Sequence, residues 1–327
     1  MKLCVYGAGA VGGALAVRLA QAGADVSVIA RGEHGAAIRA RGLTLDAGGL
    51  RATVQVSCVE DPQTLAVTPE VVFVTVKQTH LPAIAGRLAR LQAAGARLVF
   101  AMNGIPWWFA DELTIPARAA FVDTLDPGRA LRAALAPRDL IGAVVQSSNE
   151  VVAPGVVWST TPTRNRIIMG RVSTDSGVTI GDIAAVLQQA GYEGLETTDI
   201  RRELYNKMAL WVAVSPIAAL TGLSLDRLVG DPESFAFMVA LMREVNALGR
   251  RLGFALDDDV EAKIGFYRDK PTRPSILKDF ELGREPELAS NVLVFEALAQ
   301  ALGMEVPKMA VIAMLTRLKT AGMAKAR

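Results

Sequence analysis

The sequence is poor in the residues that hold metals or cross-link a fold. Its 327 residues include two cysteines, Cys4 and Cys58, and two histidines, His34 and His80. Two lone thiols give neither a disulfide framework nor a metal-ligand spacing, so no zinc or iron site is expected. Charge of one sign is lacking too: 35 Lys and Arg oppose 33 Asp and Glu, for a net +2. Nucleic-acid binding needs a gathered basic face, which this balance does not suggest. No apolar run reaches the roughly 18 uncharged residues of a membrane span, and the N-terminus opens into a strand pattern without a signal-peptide pattern. The expectation is a soluble, cytoplasmic protein that engages neither membrane nor nucleic acid. The basic end, MAKAR, reads as a frayed tail rather than a binding arm.

What is present is apolar sequence, 51% of the residues. A chain of this length divides into two domains, each able to bury a core. KLCVY (2–6) is a short apolar run of the kind buried in a parallel sheet. It leads into GAGAVG, where Gly7, Gly9 and Gly12 stand in G-x-G-x-x-G spacing with Ala8, Ala10 and Val11 between them. A helix pattern follows over 11–21 and a second strand over 25–30. In that context Gly7 allows a tight turn, Gly9 admits a pyrophosphate to the backbone, and Gly12 lets helix and strand pack closely. The helix N-terminus adds free N–H groups and a favourable dipole. These residues predict a dinucleotide site. After the second strand stands Arg31, where NAD enzymes usually place a carboxylate, which favours the extra phosphate of NADP(H). A solvated surface arginine is the alternative.

Two further strands are expected over 71–76 and 97–104, with Lys77 and Asn103 at their ends, where ligands collect in open α/β sheets. Either residue could instead cap a loop. Residues 42–56 read as a structural hairpin closed at Gly48 and Gly49. Strand runs over 141–170 are expected to extend the sheet, and a helix is expected over 180–189. Past Thr198 the pattern turns helical, over 201–220, 232–252, 260–266, 287–302 and 307–319. The predicted organisation is an α/β Rossmann-like domain over 1–198 and an all-α domain over 199–327, the latter supplying the other wall of a substrate cleft. In the first of these helices Lys207, Trp211 and Ser215 are spaced four apart and share a face. Pro216 is expected to kink that helix or end it near Ser215. Alone, Lys207 reads as a snorkelling boundary residue.

Together the glycine loop, Lys77, Asn103 in MNG, Lys207 nine residues before Pro216, and RPSILKDFELGREPE (273–287) resemble the ketopantoate reductase family. The resemblance spans nearly the whole chain. It implies a Rossmann domain joined to a helical domain of the 6-phosphogluconate dehydrogenase C-terminal type, reducing 2-dehydropantoate, a small 2-oxo acid, with NADPH. By the same resemblance Lys207 is the general acid and Glu287 supports the reacting end. Ser275 holds the substrate, Asn103 lies between nicotinamide and substrate, and Arg31 and Lys77 contact the cofactor. The chemistry agrees, because hydride arriving at a carbonyl carbon puts charge on the oxygen that a positioned cation stabilises and protonates. His34 and His80 fall in the cofactor half, away from that task. On their own residues, Ser275 could cap the following helix and Glu287 could be a first-turn acid.

The family's pattern also breaks. Where it has asparagines four and eight residues after the lysine, this chain has Trp211 and Ser215. Thr272 replaces an asparagine before the serine, and Ala289 an acid after the glutamate. These changes spare hydride and proton delivery and alter what grips the substrate's far end. They allow a paralogue acting on a more apolar or aromatic 2-oxo acid, or a tryptophan turned into the core with ketopantoate still accepted. Two other classes stay open: a 3-hydroxyacid or opine-type dehydrogenase, and an NADP-binding redox sensor without turnover. The helical domain permits a homodimer.

Overall fold

The computed structural model describes residues 1–325, so Ala326 and Arg327 of the expected tail lie outside the described residues. In chain order the strands are β1 (Lys2–Tyr6), β2 (Asp25–Ile29), β3 (Leu43–Ala47), β4 (Leu50–Val54), β5 (Ser57–Val59) and β6 (Val71–Val74). They continue as β7 (Arg97–Phe100), β8 (Leu140–Gln146), β9 (Asn149–Ala153), β10 (Val156–Ser159), β11 (Arg166–Arg171) and β12 (Glu193–Glu196). The helices are α1 (Ala10–Gln21), α2 (Gly32–Arg41), α3 (Leu81–Ala93), α4 (Arg118–Leu125), α5 (Ala130–Ala134), α6 (Gly181–Gln189) and α7 (Ile200–Thr221). Beyond these lie α8 (Leu225–Gly230), α9 (Pro232–Arg251), α10 (Val260–Gly265), α11 (Ser275–Glu281), α12 (Val294–Leu302) and α13 (Pro307–Lys325).

The chain packs as two units, one of Met1–Asn103 with Arg129–Ile200, the other of Gly104–Gly128 with Arg201–Arg327. The first is built on an eight-stranded sheet of order β12-β11-β8-β7-β6-β1-β2-β5. From β5 to β8 all neighbours pair in parallel, and β11 turns antiparallel against β8. The β6 run VVFV is buried at every residue, as a strand covered on both faces must be. The edge strand β12 had no expectation from sequence. Of its residues only Gly194 is buried, and glutamates at both ends suit an edge that should not recruit another strand.

The strand runs over 141–170 do not all extend this sheet. Only β8 and β11 join it, while β9 and β10 pair with the β3–β4 hairpin in a separate sheet of order β4-β3-β10-β9. The physical reason lies in their faces: Val152 and Trp158 are exposed, whereas Val157 is fully buried. Strands with one wet face cannot sit inside a doubly covered sheet. Val157 instead packs on α1, where a Cβ at Gly13 would approach it to 2.7 Å.

Residues 104–128 belong to the helical unit, a grouping that a single crossing near residue 198 does not capture. Backbone pairing holds them there: Ile105 N–H donates to the Ser290 carbonyl at 2.8 Å and Ala117 N–H to the Ala301 carbonyl at 3.2 Å. Arg201 anchors the segment from the start of α7. Its Nε donates to the Phe109 carbonyl at 3.0 Å, and its guanidinium lies 5.6 Å from the Trp108 ring centroid. Phe109 then stacks on Tyr205, 6.3 Å between centroids, and the Tyr205 hydroxyl donates to the Val245 carbonyl at 2.6 Å.

The expected break at Pro216 is partly corrected. Helix α7 runs on to Thr221 with Pro216 inside it, and stops where Gly222 takes a φ of 79°. Proline forfeits one hydrogen bond, but the flanking Val212, Ala213, Val214, Ala218 and Ala219 are nearly fully buried. Their packing holds the helix through the gap. Helix α13 likewise carries three residues of the expected tail as helix.

Both thiols are buried, and burial pushes Cys4 up to about 12 and raises Cys58 as well. They should resist thiol reagents at pH 8 until the protein unfolds; fast stoichiometric labelling of folded protein would contradict this packing. Replacing Arg201 by Met should orphan the Phe109 carbonyl at a cost of about 1–3 kcal/mol. Amide exchange over 105–112 should then speed up, and unchanged protection there would show that Arg201 is not the anchor.

Candidate functional site

Strand β1 feeds the glycine loop directly. Gly7 has a φ of 104°, which side chains rarely adopt, and a Cβ there would lie 2.7 Å from Val76 Cγ1. A Cβ at Gly12 would lie 2.1 Å from the Gly7 carbonyl oxygen and 2.3 Å from Thr75 Oγ1. Gly9 differs. Its φ of −69° and ψ of −156° are open to other residues, and a Cβ there would meet nothing within 4 Å. Backbone and packing thus demand glycine at 7 and 12, whereas no neighbour demands it at 9. The space before Gly9 suits the close approach of a pyrophosphate, and α1 starts there with no side-chain cap. Ala8 is buried, and Ala10 and Val11 form the half-buried first turn.

Two side chains that the sequence reading did not single out fix this loop. Thr75 Oγ1 lies 2.7 Å from the Gly7 carbonyl oxygen, and His34 Nε2 lies 2.7 Å from that of Ala8. A single sequence carries no signal for either, because the contacts come from the residue just after β6 and from α2 folding back on the loop.

The sheet order brings the other cofactor candidates beside the loop. Strands β7, β6, β1 and β2 are consecutive and parallel. Their C-terminal ends carry Asn103, Lys77, the glycine loop and Arg31 in that lateral order. Three strand spacings amount to roughly 15 Å. Strands β6 and β7 end earlier than expected, at Val74 and Phe100, so Lys77 and Asn103 stand in the loops beyond them. Gln78 links these loops by donating from Nε2 to the Asn103 carbonyl at 3.3 Å. Arg31 is the exposed residue that begins α2 as its N-cap. Its charge is felt at the Tyr6 hydroxyl, whose pKa burial raises and Arg87 and Arg31 oppose. The residues therefore fit a dinucleotide along this edge, at the point where strand order reverses about β1.

The remaining candidates lie in the helical unit. Lys207, Trp211 and Ser215 form a half-buried strip of α7, backed by buried Met208, Val212 and Val214. Trp211 faces Tyr267, 5.9 Å between ring centroids at 58°. Lys263 on α10 is engaged by Asn206 Oδ1 at 2.9 Å and Asp257 at 3.0 Å. That engagement, with hydrogen bonding to Lys263 first among the causes, holds Asp257 below the usual carboxylate range. Ser275 is the exposed first residue of α11, with Pro274 in the capping position, so the serine is not the helix cap. Glu287 is half-buried just before a π-helical turn, Ala289–Leu293. Asn291 Nδ2 in that turn donates to the Glu287 carbonyl at 2.8 Å. Among the described residues no group of three or more His, Cys, Asp or Glu side chains is placed to hold a metal ion, and no helix is long and apolar enough to cross a membrane.

The family model for ketopantoate reductase PanE/ApbA matches residues 3–113, and the model for its C-terminal region matches 199–320. A 2-dehydropantoate 2-reductase from Mesorhizobium japonicum is 32% identical over 321 residues, covering 97% of this chain and 98% of the relative. The chain belongs to the ketopantoate reductase family. Membership makes it an oxidoreductase acting on CH–OH/C=O groups. The crystal structure of a PanE/ApbA family ketopantoate reductase from Ralstonia eutropha JMP134 superposes with a TM-score of 0.82 at 27% identity, covering 99% of this chain and 100% of that one. D-Mandelate dehydrogenase, in a ternary structure with NADH and anilino(oxo)acetate, gives a TM-score of 0.85 at 15% identity, over 99% of this chain and 100% of that one. That likeness concerns the fold alone.

In this ketopantoate reductase fold the two glycines should fail in different ways. Gly12→Ala forces a methyl group into backbone and should destabilise by about 3 kcal/mol, seen as a lower melting temperature without ligand. Gly9→Ala should melt like the parent yet weaken binding of a reduced nicotinamide dinucleotide at least about ten-fold, read by fluorescence titration. Equal affinity of Gly9→Ala and parent would show that nothing approaches that backbone.

Proposed function

We propose that the chain reduces a 2-oxo acid to a 2-hydroxy acid with NADPH, the substrate being 2-dehydropantoate or a more apolar relative. The observation that carries the cofactor part is Gly9, a glycine unexplained by its neighbours in a loop whose other two glycines are fully explained by theirs. Gly7–Gly12 would receive the pyrophosphate at the start of α1, and Lys77 its negative charge. Arg31, exposed after β2, would pair with a 2′-phosphate, which supports NADPH over NADH.

A bound reduced nicotinamide supplies hydride to the substrate's carbonyl carbon. Lys207 stabilises the charge that develops on the oxygen and delivers the proton that completes the alcohol. Its half-buried station on an apolar helix strengthens that electrostatic action relative to water. Glu287 orients the reacting end, held through its own backbone by Asn291. Ser275, exposed at the head of α11, donates to the substrate. Asn103, beyond β7, supports the carbonyl beside the cofactor. The Trp211–Tyr267 pair favours a substrate with an apolar or aromatic end, and Ser215 leaves more room than the family's asparagine.

NADPH consumption by the purified protein against a panel of 2-oxo acids, 2-dehydropantoate and aryl 2-oxo acids included, tests this reading. Turnover of 3-hydroxyacids alone would favour the other dehydrogenase class, and tight NADPH binding without any turnover a sensor. Lys207→Ala should cut kcat about 10²–10⁴-fold while leaving NADPH affinity close to that of the parent; lost affinity would contradict the role. Trp211→Asn should move kcat/KM toward 2-dehydropantoate and away from aryl acids by about ten-fold or more. An unchanged ratio would mean that the indole is core filling.

A further inference from the structure

We infer that His34 is a positioning residue for the cofactor loop: fixed as one tautomer by Gly155, it holds the Ala8 carbonyl and so sets the Ala8–Gly9 peptide on which the dinucleotide rests. The inference builds on the nicotinamide-cofactor reading above and concerns a residue that the proposed chemistry leaves unused.

Both ring nitrogens are engaged, and the two contacts together decide the tautomer. The Gly155 N–H donates to Nδ1 at 3.1 Å. Nδ1 therefore carries a lone pair, and the ring proton sits on Nε2, which donates to the Ala8 carbonyl oxygen at 2.7 Å. The ring is neutral in this arrangement, since a second N–H at Nδ1 would face the Gly155 donor.

The two ends of this strut differ in how firmly they are held. Gly155 lies in the turn between β9 and β10, and its carbonyl accepts from Thr44 N–H at 2.9 Å. Arg41 Nη2 donates to the preceding Pro154 carbonyl at 3.4 Å. Gly155 also packs tightly, since a Cβ there would sit 3.3 Å from Ala37 Cβ. That end stays fixed without His34. The Ala8 end lies between two glycines, the residues that resist reorientation least.

A peptide unit is planar, with its C=O and N–H pointing oppositely. Holding the Ala8 carbonyl toward His34 therefore turns the Gly9 N–H away from it. Thr75 holds the neighbouring Gly7 carbonyl, so two successive peptides of the loop are set by side chains from different elements. His34 also rides on α2, whose N-cap is Arg31. One ring thus ties the loop proposed for the pyrophosphate to the helix that begins with the residue proposed for the 2′-phosphate.

Three variants of the full-length protein separate positioning from mere support. His34→Ala removes both bonds. His34→Gln keeps an N–H donor near the reach of Nε2, and His34→Asn keeps an acceptor near the place of Nδ1. NADPH Kd should rise about five- to ten-fold in His34→Ala, as for one lost hydrogen bond. Gln should recover most of that loss and Asn little of it. In turnover the loss should fall on KM for NADPH rather than on kcat. Ligand-free melting temperatures supply the control: Gln and Asn should differ in Kd more than in stability. Equal Kd in all three variants and the parent would overturn the inference, as would rescue by Asn but not Gln, or affinities that simply track melting temperature. Parent protein that binds neither NADPH nor NADH would instead overturn the cofactor reading, and this inference with it.

Discussion

Helix α1 approaches β1 so closely that no methyl group fits between them at Gly12. The rest of the sheet unit is arranged around that approach. It puts the first turn of α1 over the end of β1, at the point where strand order reverses. It also leaves the outer side of α1 to be covered by something, and the small sheet of β3, β4, β9 and β10 does so through Val157. The turn of that small sheet then reaches back, through His34, to the glycine loop. A single steric constraint thus links the main sheet, its covering sheet and the site.

The helical unit depends on a different economy. Its candidate proton donor needs a helix that is apolar behind and half-open in front, and α7 supplies this by burying the residues on either side of Pro216. The missing hydrogen bond at the proline is tolerated because the surrounding side chains are already fixed. Around the start of α7, Arg201 Nε and the Tyr205 hydroxyl each donate to a backbone carbonyl of a neighbouring segment, so a buried cation and a buried hydroxyl become joints rather than liabilities.

Much of this was legible from sequence. The glycine spacing, the apolar strand runs and the long helical periods are local signals, and local signals survive without coordinates. The face shared by Lys207, Trp211 and Ser215 followed from a repeat of four. What could not be read was partnership over distance. The buried Val157 of β10 and its exposed Trp158 look in sequence like those of any strand, so its departure to a second sheet was hidden. His34 lay in plain view in IARGEH, but its value depends on Ala8 and Gly155, which are 26 and 121 residues away. Pro216 misled for the converse reason, since local chemistry predicts a break that packing overrules.

The grouping of residues 104–128 with the helical unit bears on how the protein is made. Neither unit is a continuous stretch of chain, and the 104–128 segment of the second is synthesised well before the helices it packs with. When the strands of the first unit have all emerged, Trp107, Trp108 and Phe109 have been waiting outside the ribosome for about ninety residues without the helices that bury them. The backbone partners of Ile105 and Ala117 in the same segment, Ser290 and Ala301, come later still. An oily loop held in suspense through most of translation is where a nascent chain of this design would most need shelter.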